Sequence, residues 1–223
     1  MRAALGAVVA ALLSGGTGAG AGTVAAVSVR TSPVLLPCAE AAARAFERQS
    51  TAARVVVTAG EIWPSTSGDV VVGSAGAMTR VVESGQGDEK SQIDLPPVPW
   101  VLVLAAGASP GPGEARSLAD LDPSAEVWVL GGVDGREAAH AVQGRAHARV
   151  TVDLERLASA PIALVPASLA DGRRRAPVDV PPLRPSAVVR RGALRPAAAA
   201  AFVAFLARHD GQEAFASCAA AAR

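Results

Sequence analysis

The sequence predicts an α/β fold whose strands run mostly parallel. Three observations carry that expectation. Short runs of Val, Leu and Ile recur along the 223 residues. They are continuous rather than alternating, as suits strands covered on both faces. Helical patterns fall between them, and strand and helix taking turns is the order of parallel α/β units. In addition, 50% of the chain is hydrophobic and only 18% charged, which excludes a chain too polar to fold.

The elements follow in order. Residues 24–30 read as the first strand. Pro37 opens a helix that runs to Gln49, since Pro is tolerated in a first turn. Ala42, Ala45, Phe46 and Gln49 share one face of it. Residues 54–58 and 69–73 are β-branched runs, hence strands, and 78–83 is helical. Residues 85–99 turn polar and then Pro-rich, a loop, before a strong strand at 100–105. The stretch 108–114, rich in Gly and Pro, is another loop. Further strands fall at 126–130 and 161–165, with helices at 135–142 and 153–158 between them. Residues 172–185 form a connector with a crossing strand at 176–180. A last strand at 186–190 precedes a long helix opened by Pro196, with Phe202, Phe205 and Leu206 on one face. Asp210-Gly211-Gln212-Glu213 places N-cap and N3 residues for a final helix.

Met1-Arg2 precede an apolar run of 11 residues, 3–13, and then small residues up to Ala19-Gly20-Ala21. A basic start, a short apolar core and an A-x-A site read as a signal peptide over residues 1–21. The run is short against the ~20 residues of a spanning helix. A periplasmic or secreted chain without membrane insertion after cleavage is therefore expected. Export permits a disulfide between the two cysteines, Cys38 and Cys218. Two buried thiols in Ala-rich helices are the other reading.

A net charge of +1 argues against a nucleic-acid partner, which leaves a basic excess. The histidines are His140, His147 and His209 only, and no Cys or carboxylate completes a metal set with them. No nucleophile elbow, P-loop or dinucleotide fingerprint is present. The chain thus reads as a non-enzyme without metal or cofactor.

Several stretches occur in a telling order: "VSVRTSPVLLPCAEAAARAFERQ", "ARVVVTAGE", "GDVVVGSAGAMTRVVESG", "VPWVLVLAAGAS", "LVPASLA" and "PAAAAAFVAFLARHDGQEAF". This order resembles the extracellular solute-binding proteins of ABC importers, specifically the molybdate/tungstate-binding type. The resemblance implies a two-lobed periplasmic-binding-protein type 2 fold, with a central, mostly parallel sheet in each lobe. Lobe one would be residues 24–97 plus 186–223 and lobe two 98–185, with crossings near Trp100 and residues 184–188. It also implies a small ligand, molybdate, tungstate or another oxyanion, held between the lobes and delivered to an ABC permease. The resemblance places Cys38 and Cys218 in helices of one lobe.

The sequence departs from that family at its site. The first-loop Ser falls at Val34, the second-loop Ser at Glu61, and the family's Tyr at Pro166 in a chain with no Tyr at all. Where the family has a helix before Asp69, only "EIWPSTSG" is left. An oxyanion is held by helix N-termini and hydroxyls. The candidates are Thr31 and Ser32 after the first strand, Gly60 and Glu61 after the second, Asp134, Gly135 and Arg136 at a Gly-rich helix start, and Ser168. Ser65, Thr66 and Ser67 cluster nearby. Glu61 stands against an anion, because unit like charges 4 Å apart repel by ~4 kcal/mol at an effective dielectric of 20. Arg136 offsets it, Glu61 points away, or the ligand is not an oxyanion. Trp63 stacks on an organic ligand or covers a core edge. These departures leave a second reading open: a binding-protein-like domain that no longer transports and acts as a sensor or interaction module.

Overall fold

The computed structural model describes residues 25–50, 53–105, 118–170 and 174–220. The signal-peptide reading and the loop expected at 108–114 lie outside them. The chain runs β1 (Ala25–Thr31), α1 (Leu36–Gln49), β2 (Ala53–Ala59), β3 (Val70–Ser74), α2 (Ala75–Glu83) and β4 (Ile93–Asp94). It continues through β5 (Trp100–Leu104), β6 (Glu126–Leu130), α3 (Gly132–Gln143), β7 (His147–Thr151), α4 (Leu154–Ser159) and β8 (Ile162–Pro166). β9 (Arg174–Pro177), β10 (Pro185–Val189), α5 (Pro196–Leu206) and α6 (His209–Ala220) complete it.

These strands form two five-stranded sheets, ordered β2-β1-β3-β10-β4 and β7-β6-β8-β5-β9. In the first, β10 alone runs against the other four strands. In the second, β5 does the same. The two sheets therefore share one topology, mostly parallel with a single reversed strand. Each reversed strand is the first one laid down after the chain crosses from the other sheet. The two crossing segments pair with each other, as Val98 and Leu183 exchange N–H···O bonds of 2.9 Å each. Pro96, Pro97, Pro99, Pro181 and Pro182 flank that bridge. Proline fixes φ and removes donors there, so the crossings do not widen into a third sheet.

The expected elements are present with shifted edges. α2 begins at Ala75 and α3 at Gly132, each earlier than the apolar pattern indicates. The crossing strand expected at 176–180 is instead an edge strand of the second sheet, β9, Arg174–Pro177, paired with β5, and the return crossing follows it at Leu183. Two strands escaped the reading. β4 has only two residues, and β7 is an edge strand of sequence HARVT whose residues are half-buried or exposed. β2 also corrects the rule of continuous burial: it is an edge strand with alternating exposure, Val56 being 52% exposed.

The packing around the first sheet is built on small residues. α1 buries Cys38, Ala39, Ala42, Ala43, Ala45 and Phe46. Its alanines let α6 approach closely, and Cys38 is bonded to Cys218 of α6 with Cα atoms 4.8 Å apart. Phe46 meets Phe202 and Phe205 edge-on, with centroids 5.3 and 5.5 Å apart, an arrangement the ring quadrupoles favour.

Asp69, just before β3, is almost fully buried. Its carboxylate accepts from the Ser28 N–H at 2.9 Å, the Ser28 hydroxyl at 2.8 Å, and the N–H groups of Leu194 and Arg195 at 2.7 and 3.2 Å. It thereby pins β1 to the turn that starts α5. Burial alone would push its pKa up. The Ser28, Arg195 and Leu194 hydrogen bonds outweigh that and hold it below the usual carboxylate value.

Candidate functional site

The loops after β1, β2, β6 and β7 come together around one cavity. Loops at strand C-termini are the usual ligand position in open α/β sheets. Here they enclose a cavity of about 220 Å³. Ser32, Val34, Glu61, Ile62 and Trp63 come from the loops after β1 and β2, and Ala77 from α2. Leu130, Gly132, Val133 and Asp134 come from the β6–α3 junction, and Val152 and Leu154 from the β7–α4 junction. Both sheets thus contribute walls, and most of the lining is aliphatic.

Local chemistry positions these groups. Ser32 is extended and precedes a short 3-10 turn, Pro33–Leu35, that leads into α1. Its hydroxyl is buried with no hydrogen-bond partner. Gly132 adopts φ +78°, a left-handed value that favours glycine. This turns the chain sharply from β6 into α3. Three residues on, a Cβ at Gly135 would overlap the Leu130 carbonyl. Glycine at 135 therefore lets α3 sit against the end of β6, and the N-terminus of α3 reaches the cavity through Gly132, Val133 and Asp134.

Glu61 and Trp63 form a unit at the mouth. The indole Nε1–H donates to Glu61 Oε2 at 2.9 Å, and Thr66 Oγ1 accepts from the Trp63 N–H at 2.7 Å. No Arg, Lys or His ion pair within 4.0 Å involves Glu61 or Asp134 among the described residues. Asp134 stands in the first turn of α3, where a carboxylate complements the positive end of the helix. The helix end that would serve an anion is thus already compensated.

The remaining candidates from the sequence lie elsewhere. Thr31 is fully buried, and its hydroxyl meets Ser32 O at 3.4 Å. The Gly60 N–H donates to Thr31 O at 2.9 Å, and the Arg30 guanidinium lies over Gly60. Arg136 lines a second, larger chamber of about 530 Å³ with Ser74, Arg80, Glu137 and Arg184. That chamber sits by the crossings and shares Val133 and Asp134 with the first. Ser168 donates its hydroxyl to Val34 O at 2.7 Å, a buried tie from the end of β8 to the turn before α1. Ser168→Ala should cost about 1–2 kcal/mol by stranding that carbonyl; urea unfolding will measure it. The structure therefore brings Ser32, Glu61 and Asp134 together and leaves Thr31, Gly60, Gly135, Arg136 and Ser168 off the cavity wall. Sequence reasoning missed Ile62, Val133, Val152 and Leu154. An isolated aliphatic residue in a loop carries no signal of its own.

This topology and the crossings define the class: a two-lobed fold of the type 2 periplasmic binding proteins. Solved structures agree on the fold. The sulfate-binding protein SubI from Mycobacterium tuberculosis H37Rv matches with a TM-score of 0.69 at 14% identity, over 87% of this chain and 86% of that one. The Azotobacter vinelandii periplasmic molybdate-binding protein matches with 0.68 at 15% identity, over 88% and 97%. A periplasmic thiamin binding protein matches with 0.58 at 12% identity, over 86% and 81%. No family model and no curated protein matches the chain. No helix among the described residues is long and apolar enough to cross a membrane.

Proposed function

We propose that this is an exported solute-binding protein that holds one small solute between its lobes and delivers it to an ABC permease. The observation that supports this best is the cavity itself. It is walled from both sheets, at the strand ends where this fold class carries ligands, and two paired crossings join the lobes. The three structural neighbours are named for binding sulfate, molybdate and thiamin. The fold is therefore compatible with oxyanions and with an organic ligand alike.

A thermal-shift screen with molybdate, tungstate, sulfate, phosphate, thiamin, organic acids and amines tests the reading. A ligand at 100 times its dissociation constant stabilises by ~2.7 kcal/mol, which moves the melting temperature by several degrees. Stabilisation by none of them would favour the sensor or interaction module. The same ligand should change tryptophan emission. Trp63 is 52% exposed at the cavity mouth, whereas Trp100 is 3% exposed. A titration should shift the emission of the wild type, and Trp63→Phe should abolish most of the change. An unchanged response in that variant would place the ligand elsewhere.

A further inference from the structure

We propose that the cavity selects a small organic ammonium compound and rejects inorganic oxyanions. This rests on the solute-binding reading and names the ligand class of the same site.

The wall offers acceptors and no cation. Glu61 and Asp134 are its charged residues, and neither is held by a cation within 4.0 Å among the described residues. The arginines near Asp134 line the other chamber. An ammonium group entering the cavity meets two carboxylates that no cation among the described residues pairs: Glu61 is engaged only by the Trp63 indole N–H, and Asp134 only by the helix end on which it stands. The third polar group is Ser32, only 4% exposed, whose Oγ has no partner. A buried hydroxyl without a partner is unfavourable, and a ligand N–H would give it one.

Between these groups lie Ile62, Leu130, Val133 and Val152, which suit a short carbon skeleton and give nothing to a hydrated oxyanion. Trp63 adds an indole face at the mouth. Its Nε1–H is committed to Glu61, so ring and carboxylate are held side by side. An ammonium there is attracted by both the π-face and the charge. The volume of about 220 Å³ suits a small solute, since drug-sized ligands take roughly 300–1,000 Å³.

Isothermal titration of the exported chain with putrescine, ethanolamine and choline, and separately with molybdate and sulfate, decides the matter. At least one ammonium compound should bind and neither oxyanion should. Glu61→Gln should weaken the ammonium ligand by about tenfold or more, because a charge-assisted contact is lost. Asp134→Asn should weaken it in the same direction. Glu61 is exposed, so its amide variant keeps the fold. Oxyanion binding by the wild type, or ammonium binding that ignores both substitutions, would overturn this inference and leave the solute-binding reading standing. No binding by these compounds or by any member of the thermal-shift screen would overturn both.

Discussion

Replacing both cysteines, Cys38→Ser with Cys218→Ser, should lower the unfolding free energy by about 4 kcal/mol. The bridge closes a loop of 180 residues in a chain of 223. In the chain-entropy picture a 100-residue loop already contributes ~4.7 kcal/mol, and measured bridges deliver somewhat less. The native state offers little to compensate. The bridge joins α1 to α6, and most of what α1 buries is alanine, Ala39, Ala42, Ala43 and Ala45, which buries little apolar area per residue. Phe46, Phe202 and Phe205 hold α1 to α5 independently, so the variant should still fold. Urea unfolding of the oxidised, the reduced and the double-serine proteins checks this. Reduced and serine forms should agree, and both should fall well below the oxidised one. A loss under 1 kcal/mol would mean that the α1–α6 contact holds without the bridge.

The second large effect concerns Asp69. Asp69→Ala should cost about 3–4 kcal/mol, since it leaves the donors of Ser28, Leu194 and Arg195 without their shared acceptor in a buried place. The lesion cuts β1 from the start of α5, so unfolding of both should be affected together. The pH dependence has a definite sign. The folded pKa lies below the unfolded one. The carboxylate's contribution is therefore fully present above the unfolded value of about 3.9 and is lost as pH falls through the folded value. The stability gap between wild type and Asp69→Asn should be widest at pH 7 and narrow in acid, below about pH 4. A gap that stays constant between pH 7 and pH 3 would show that Asp69 acts through shape alone.

Much of the fold was legible because its central strands are buried on both faces. β3, β8 and β10 are buried at every position, and such strands write themselves as Val-, Leu- and Ala-rich runs. β7 lies at an edge and β4 is two residues long, so neither leaves a run. Missing β7 also hid Val152 and Leu154, which follow from its end. The site was harder to read for a local reason. Thr31 and Ser32 are neighbours, yet only Ser32 reaches the cavity, because successive residues in extended chain point to opposite sides. Loop composition placed both near the cleft and could not choose between them. The hydroxyl of Ser168 was likewise visible as a donor, but its acceptor, Val34 O, lies 134 residues away and only the folded chain supplies it. Glu61 carried the clearest signal. A carboxylate where the resembling family has a serine was the one residue type in the sequence that argued against an oxyanion, and it stands on the cavity wall.

The most direct test of a solute held between the lobes uses the protein with whatever it carries from the cell. Val133 lies at the centre of the cleft, on the wall of both chambers, facing Gly76 of α2. It is partly exposed, at 36%, so Val133→Trp fills the cavity without entering the core. Native mass spectrometry of protein recovered from cells without denaturation should show one small molecule per wild-type chain, released on denaturation and absent from folded Val133→Trp. A bare wild-type mass, or an adduct retained unchanged by the variant, would contradict a solute bound between the lobes.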